Sequence, residues 1–379
     1  MSNILVVGAG MAGAVHAREL ADAGHTVHVI DKRPHIAGNC FDEVTAAGVR
    51  VHRYGPHLFH TSNEKVFTWL SRFTRWLPYE HRVKARMPDG RLVPLPVNLT
   101  TVNAVFGTSC STREHVSQFL AGRALVRADI RSAEDWLYAN LGEELTELFF
   151  RPYTEKMWAL RLAEVDPAIV KRIQIRFDDD DRYFPSDTIQ FMPEDGYTQM
   201  FARMLDHPLI TVSLATEFSK PMLASYDFCF NSMPIDEFYG HCLGELPYRS
   251  IRFHTSVVPR EQAADHVTIN YTDHSPFTRE TWWHRIPGHW PSQSDAVVRT
   301  VEEPCDYREN NLERYYPVKT EDSRYDLLYQ RYLELSTEEK KLQFIGRCGT
   351  YQYLDMHQVV NQSLMSVARW LETQPFSAF

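Results

Sequence analysis

No stretch of this 379-residue chain approaches the roughly 18 consecutive apolar residues of a membrane-spanning helix. The N-terminus also lacks a basic segment followed by an apolar core and a small-residue cleavage site, so a cytoplasmic protein with no membrane insertion is expected. Basic charge is in deficit: 40 Lys and Arg against 49 Asp and Glu give a net charge of −9, which repels a polyphosphate backbone and argues against a nucleic-acid partner. Cysteine is sparse and scattered (Cys40, Cys110, Cys229, Cys242, Cys305, Cys348), without a Cys-x-x-Cys pair or metal-ligand spacing to the histidines, so no metal site is expected. Internal repeats and low-complexity linkers are absent as well. What is plentiful is flat and titratable: 8 Trp, 18 Tyr, 21 Phe and 17 His suit a ligand that stacks, although most aromatics in any protein are core. With 44% hydrophobic and 23% charged residues, the chain can form two or three domains around real cores.

The first informative pattern is at the start. Residues 3–7 form an apolar run that ends in Gly8-Ala9-Gly10-Met11-Ala12-Gly13, Ala14 to Ala23 reads as helix, and a second run, Val27 to Ile30, ends in Asp31. This is the strand, glycine turn, helix, strand and acid of a dinucleotide-binding unit. Gly8 permits the tight turn, Gly10 admits a pyrophosphate to the main-chain N–H groups, and Gly13 lets helix and strand pack closely. Asp31 stands near the position of the acid that holds an adenosine ribose. The motif alone does not separate NAD from FAD.

Further along, residues 62–74 read as an amphipathic helix capped by Ser62 or Asn63, and residues 82–85 and 92–95 as a hairpin around Asp89-Gly90. Residues 97–165 show helical patterns with caps at Ser111-Thr112 and Ser132-x-x-Asp135. Residues 166–187, with Asp178 to Asp181, have the composition of a solvated, mobile loop. A helix from Gly196 to Leu205 and strands at 209–214 and 228–230 follow, then strand-like runs near 251–258, 267–272, 279–285 and 297–302. A helix over 321–337, a strand from Leu342 to Gly346 and a last helix from about Met356 complete the pattern. The fold class is therefore α/β: a discontinuous Rossmann-like domain (1–77, 188–240, 330–379), an inserted helical domain (97–187), and an antiparallel sheet domain (78–96, 241–329).

Two more stretches carry chemistry. In Gly346-Arg347-Cys348 to Asp355-Met356, a helix starting near Asp355 offers its positive end to an anion. In Tyr54-Gly55-Pro56-His57-Leu58-Phe59-His60, irregular backbone gathers two histidines and several aromatics. Together with Gly38-Asn39-Cys40, Pro78 to Lys84, Tyr153 to Trp158, Lys171-Arg172, Asp180 to Phe184, Gly196 to Met200, Pro276 to Arg279 and Tyr315-Tyr316-Pro317, these stretches resemble the bacterial UDP-galactopyranose mutases over nearly the whole chain.

That resemblance implies an isomerase of nucleotide sugars. It would interconvert UDP-galactopyranose and UDP-galactofuranose through a covalent adduct between N5 of reduced FAD and the anomeric carbon, with no net redox change, and so serve cell-surface polysaccharide synthesis. It implies FAD as cofactor, an external reductant, a UDP-sugar substrate and a homodimer. Carried over by position, Arg172 and Arg279 clamp the diphosphate and, with His60 beside the flavin, form the catalytic set. Gly8, Gly10, Met11, Ala12, Gly13, Asp31, Lys32, Asn39, His57, Phe218, Arg347, Tyr353, Leu354, Asp355 and Met356 hold FAD. His81, Phe149, Tyr153, Thr154, Trp158, Tyr183, Asn270, Tyr316 and Tyr353 complete the substrate site. Two departures bear on the sugar: His81 stands where some relatives have Asn, and Arg53 precedes Tyr54 where an apolar residue is common. They leave open UDP-N-acetylgalactosamine or a deoxyhexose nucleotide. A conventional flavin oxidoreductase and a non-enzymatic binding protein are the rival classes.

Overall fold

Five short apolar runs, separated by long excursions of the chain, assemble the first sheet. In the computed structural model, which describes residues 1–290 and 295–373, the strands Asn3–Val7, Thr26–Ile30, Ile210–Ser213, Phe228–Asn231 and Leu342–Phe344 are all parallel. Counted within the sheet, they lie in the order third, second, first, fourth, fifth, which is the order of a doubly wound nucleotide-binding fold. Both faces are covered. Ile4, Val6, Val29 and Phe230 pack toward the helices Met11–Asp22 and Met356–Thr373, while Leu5, Val7, Ile30 and Cys229 pack toward Phe218, Leu223 and Tyr226. His16 joins the two helices, its Nε2 3.1 Å from Ser366 Oγ.

The glycine turn follows strand Asn3–Val7 directly. Gly8 has φ +101°, and a Cβ there would lie 2.0 Å from Ser232 Oγ. At Gly13 a Cβ would lie 1.8 Å from the Gly8 carbonyl oxygen, so the helix can approach the turn only without a side chain.

The second sheet has seven strands in the order Tyr316–Pro317, Tyr248–Pro259, Ala296–Asp306, Arg279–Trp282, Thr268–Tyr271, Val83–Arg86 and Leu92–Leu95. It departs from the expected antiparallel pattern at one place: Thr268–Tyr271 runs parallel to Val83–Arg86. The hairpin is reached from the rest of the sheet through the whole helical insertion, and a connection of that length leaves strand direction unconstrained. Two small sheets were not foreseen. Phe59–Thr61, Ile189–Pro193 and Trp76–Pro78 form one, and Asp42–Val44 pairs with Arg50–His52 in the other. Four of these five strands have only three residues, too few to show alternation.

The helical insertion runs through Leu99–Phe106, Arg113–Ala121, Ala133–Leu141 and Arg151–Trp158. Thr112 Oγ1 caps one helix by accepting from the His115 N–H at 3.3 Å, and Ser132 with Asp135 forms the expected reciprocal capping box. The segment after it is less open than its composition implies. Pro167–Lys171 is a short helix, and Arg172 ends it. The acid run is tied down: Asp180 pairs with Arg182 at 2.8 Å, and Asp181 takes Arg82 at 2.7 Å and Lys84 at 3.3 Å from the neighbouring hairpin. Among the described residues no helix is long and apolar enough to cross a membrane.

Candidate active site

The three units meet around one cavity of about 890 Å³, at the large end of small-molecule sites. Its wall includes the glycine turn (Gly8, Gly10, Met11, Ala12, Gly13), Asp31, Lys32, Asn39, Phe218, Arg347 and Leu354 to Met356. It continues without a break to His57, His60, His81, Tyr153, Trp158, Arg172, Tyr183, Asn270, Arg279, Tyr316 and Tyr353. Two candidates are not on it. Phe149 is buried in the core of the helical insertion, and Thr154, on the helix that carries Tyr153 and Trp158, is buried away from the cavity. Arg53 is also absent from the wall; its guanidinium turns outward to Glu43 at 2.7 Å.

At the nucleotide end, Asp31 is already engaged. Its Oδ2 accepts from the Ala9 N–H at 2.7 Å and its Oδ1 from the Arg33 N–H at 2.8 Å. The carboxylate therefore braces the glycine turn against the second strand, and only its remaining lone pairs are open to a ribose hydroxyl. Between the two ends, Arg347 stands over Tyr353 at 4.9 Å and Tyr316 at 5.3 Å, and its Nε is buried without a partner among the described residues.

At the other end, Arg279 is fixed rather than free. Its Nε donates to Glu302 Oε2 at 2.7 Å, and the two residues are register partners in adjacent strands. Burial works against the arginine's charge, but the Glu302 carboxylate beside it wins and holds the guanidinium firmly protonated. Burial pushes the Glu302 carboxyl upward, with Arg279 pulling the other way. Arg172 ends the short helix Pro167–Lys171; its Nη2 donates to Asp355 Oδ1 at 2.6 Å, and its guanidinium lies 3.9 Å over the Tyr353 ring. Trp158, Tyr316 and Tyr353 form an aromatic corner between the arginines, with ring separations of 5.3–6.3 Å. Asn270 Oδ1 is buried without a partner. Lys156 ties the insertion to the turn before Arg279, donating to the carbonyls of Phe277 at 2.6 Å, Asp273 at 2.9 Å and Tyr271 at 3.2 Å.

The irregular Gly55-Pro56-His57 segment rests on a chain of buried histidines. The His57 N–H donates to His52 Nδ1 at 3.0 Å, so neutral His52 carries its proton on Nε2. That proton faces His289 Nε2 at 3.0 Å, which leaves His289 to donate from Nδ1 to the Pro287 carbonyl at 3.0 Å. Burial, then the neighbouring histidines, keeps the His52 pKa well down, and burial lowers His289 to about 4. His57 donates from Nδ1 to the Gly55 carbonyl at 2.9 Å; burial, then Arg347 and Arg279, lowers it to about 4. His81 lies 2.9 Å from the Tyr79 hydroxyl and is lowered to about 3 by burial and then Arg279.

Sequence reading missed several wall residues: Phe184, Asp187, Phe253, Glu313, Arg314 and His357. Glu302, which fixes Arg279, could have been found only from the register of two strands that no local pattern reveals. Among the described residues no group of three or more His, Cys, Asp or Glu is placed to hold a metal ion.

With this geometry in place, comparison with known proteins is informative. A family model described as UDP-galactopyranose mutase matches residues 148–353, and one described as NAD(P)-binding Rossmann-like domain matches residues 6–73. The chain is 36% identical over 380 residues to a probable UDP-galactopyranose mutase of Klebsiella pneumoniae, covering 98% of this chain and 95% of the relative. It is 33% identical over 373 residues to the dTDP-fucopyranose mutase of Escherichia coli, covering 96% and 97%. A crystal structure of reduced UDP-galactopyranose mutase shares the fold at a TM-score of 0.75 and 15% identity, over 99% of this chain and 97% of that one.

Proposed function

This chain belongs to the UDP-galactopyranose mutase family, and from that premise we propose that it interconverts UDP-galactopyranose and UDP-galactofuranose with FAD held in the cavity. The residues present fit an extended dinucleotide. Gly8 and Gly13 form a cradle that a Cβ would fill, the first turn of helix Met11–Asp22 leaves main-chain N–H groups for phosphate oxygens, and the buried Arg347 Nε has no protein partner. Gly8 to Gly13, Asp31, Lys32, Asn39, Phe218 and Leu354 to Met356 would hold the cofactor, with His57 and His60 beside its reactive end. Reduced FAD, when bound, would supply a nucleophilic nitrogen for covalent catalysis, chemistry that allows the sugar ring to change size without net redox change.

The protein's own work is then positional and electrostatic. Arg279, braced by Glu302, and Arg172 present planar guanidinium forks suited to the oxygens of a diphosphate that departs and returns. The corner of Trp158, Tyr316 and Tyr353 offers flat faces to a pyrimidine, and Asn270 and His81 offer polar atoms to the sugar. The observation that carries this reading is the continuity of one cavity from the glycine turn to Arg279.

Incubation with UDP-galactopyranose and dithionite should yield the furanose isomer from a yellow protein that releases FAD on denaturation. Reductant should switch activity on without being consumed per turnover. A colourless protein that cannot be reconstituted with FAD, or equal rates with oxidised cofactor, overturns the proposal. The fucopyranose relative motivates a second reading, a thymidine-linked 6-deoxysugar, which lacks the ribose 2′-hydroxyl and one sugar hydroxyl. A competition between the two nucleotide sugars, read as a ratio of kcat/KM, decides between them.

A further inference from the structure

Four histidines line the cavity: His57, His60, His81 and His357. Only His60 among them is hydrogen-bonded to a carboxylate. Its Nδ1 lies 2.5 Å from Asp187 Oδ2, and the ring is stacked on Phe184 with centroids 3.5 Å apart and planes 8° from parallel. The cradle is built from both sides. Ser62, two residues beyond His60, reaches Asp187 Oδ1 at 3.2 Å and the Ser186 carbonyl at 3.0 Å. Gln190 Nε2 donates to the carbonyls of Phe184 at 2.8 Å and Asp187 at 3.0 Å, holding the turn that presents both residues.

A carboxylate at Nδ1 decides which ring nitrogen exchanges protons. Nδ1–H donates to Asp187 whether the imidazole is neutral or charged, so Nε2 is the atom that gains or loses a proton. Among the described residues Nε2 has no hydrogen-bond partner, and the ring lines the cavity. The other three cavity histidines are held neutral by burial first, reinforced by Arg279 and Arg347 at His57, by Arg279 at His81 and by His60 at His357. The ionisable groups facing His60 are Asp187 from its own cradle, His357 across the ring at 5.3 Å with Asp355 behind it, and His81.

We propose that Asp187 is a positioning residue which fixes the tautomer of His60 and makes Nε2 the proton carrier of ring contraction. This rests on the mutase reading. In that reaction the pyranose opens by breaking C1–O5, the bonding pair staying on O5, which takes a proton. The furanose closes when O4 forms the C1–O4 bond and gives up its proton. One proton therefore moves from O4 to O5. His60 supplies it from Nε2 to O5 and recovers it from O4, ending as it began, with no oxidant or reductant involved.

The test uses the FAD-loaded enzyme with ¹⁵N-labelled histidine, His60→Gln assigning the His60 signals. Across the pH range the expected spectrum keeps His60 protonated at Nδ1 while Nε2 gains and loses its proton, and Asp187→Ala spreads the neutral form over both nitrogens. The same variant should lower kcat by about 10²-fold, on the scale of a positioned acid or base, with KM and FAD content unchanged. The alkaline limb of its kcat profile, where the Nε2 proton needed at O5 is lost, should move to lower pH, because the imidazolium has lost its counter-charge. Asp187→Asn, which preserves the shape of the turn, guards against misfolding and should show a shifted limb as well. A wild-type spectrum with the proton on Nε2 alone, or an unchanged kcat and pH limb in both variants, overturns the proposal. If the wild type does not form the furanose at all, the mutase reading fails and the proton-carrier role fails with it, while the spectra still decide whether Asp187 fixes the His60 tautomer.

Discussion

Arg279 and Glu302 face each other from adjacent antiparallel strands, and the arginine Nε donates to the carboxylate at 2.7 Å, which leaves the guanidinium's two terminal nitrogens for a ligand. A side chain so held can stabilise charge as it develops on a departing diphosphate, rather than merely gather substrate. Arg279→Ala should cost about 2–4 kcal/mol in kcat/KM, with kcat itself reduced and FAD content unchanged. Arg279→Lys should rescue poorly, because an ammonium lacks the fork. Steady-state kinetics decide it: a stability loss with wild-type kcat/KM would reduce the pair to a structural ion pair.

Arg172 is the looser partner, and its contact with Asp355 at 2.6 Å occupies a nitrogen that a phosphate would want. Arg172→Ala should weaken UDP binding by roughly 1.5–3 kcal/mol, the range of hydrogen bonds to charged groups. Asp355→Asn should tighten UDP binding slightly, since a competing carboxylate is removed. Titration calorimetry with UDP, at matched FAD content, reads both; equal weakening by the two substitutions would show that the pair acts only as a brace.

The buried histidines make folding stability sensitive to mild acid. His16, lowered to about 4 by burial with the Ala12 carbonyl pulling the other way, and His289, also lowered to about 4, are neutral in the fold but gain protons in the unfolded chain below its value near 6.5. The unfolded state then binds more protons, so their contribution is fully present above 6.5 and is lost as pH falls from 6.5 toward 4. Each should lower stability by roughly 1.4 kcal/mol per pH unit across that window. Urea melts at pH 7.5 and 5.5 measure the slope, and His289→Gln should flatten it. A slope unaltered by the substitution would mean that His289 does not titrate on unfolding.

What could be read from the sequence was local. Gly8 and Gly13 announced themselves because a Cβ has nowhere to go, and the Ser132 box and Asn63 cap because a short polar side chain bonds main chain within three residues. What could not be read was pairing between distant stretches. The parallel match of Thr268–Tyr271 with Val83–Arg86, the brace of Glu302 on Arg279 and the cradle of Asp187 around His60 each join residues with no shared periodicity. Arg172 illustrates the same limit: its hydrogen-bond partner, Asp355, stands 183 positions away. Phe149 and Thr154 lie in or beside a helix that does reach the cavity, and helical phase alone turns them from it.

The order in which the cavity wall is synthesised has a cellular consequence. The glycine turn at residues 8–13 leaves the ribosome more than three hundred residues ahead of Arg347 and Met356, which close the same wall, and strand Leu342–Phe344 is the last to join the parallel sheet. At about 5–20 residues per second the nascent chain spends on the order of tens of seconds with a phosphate cradle but no opposite side. Cofactor capture therefore belongs to the nearly finished polypeptide.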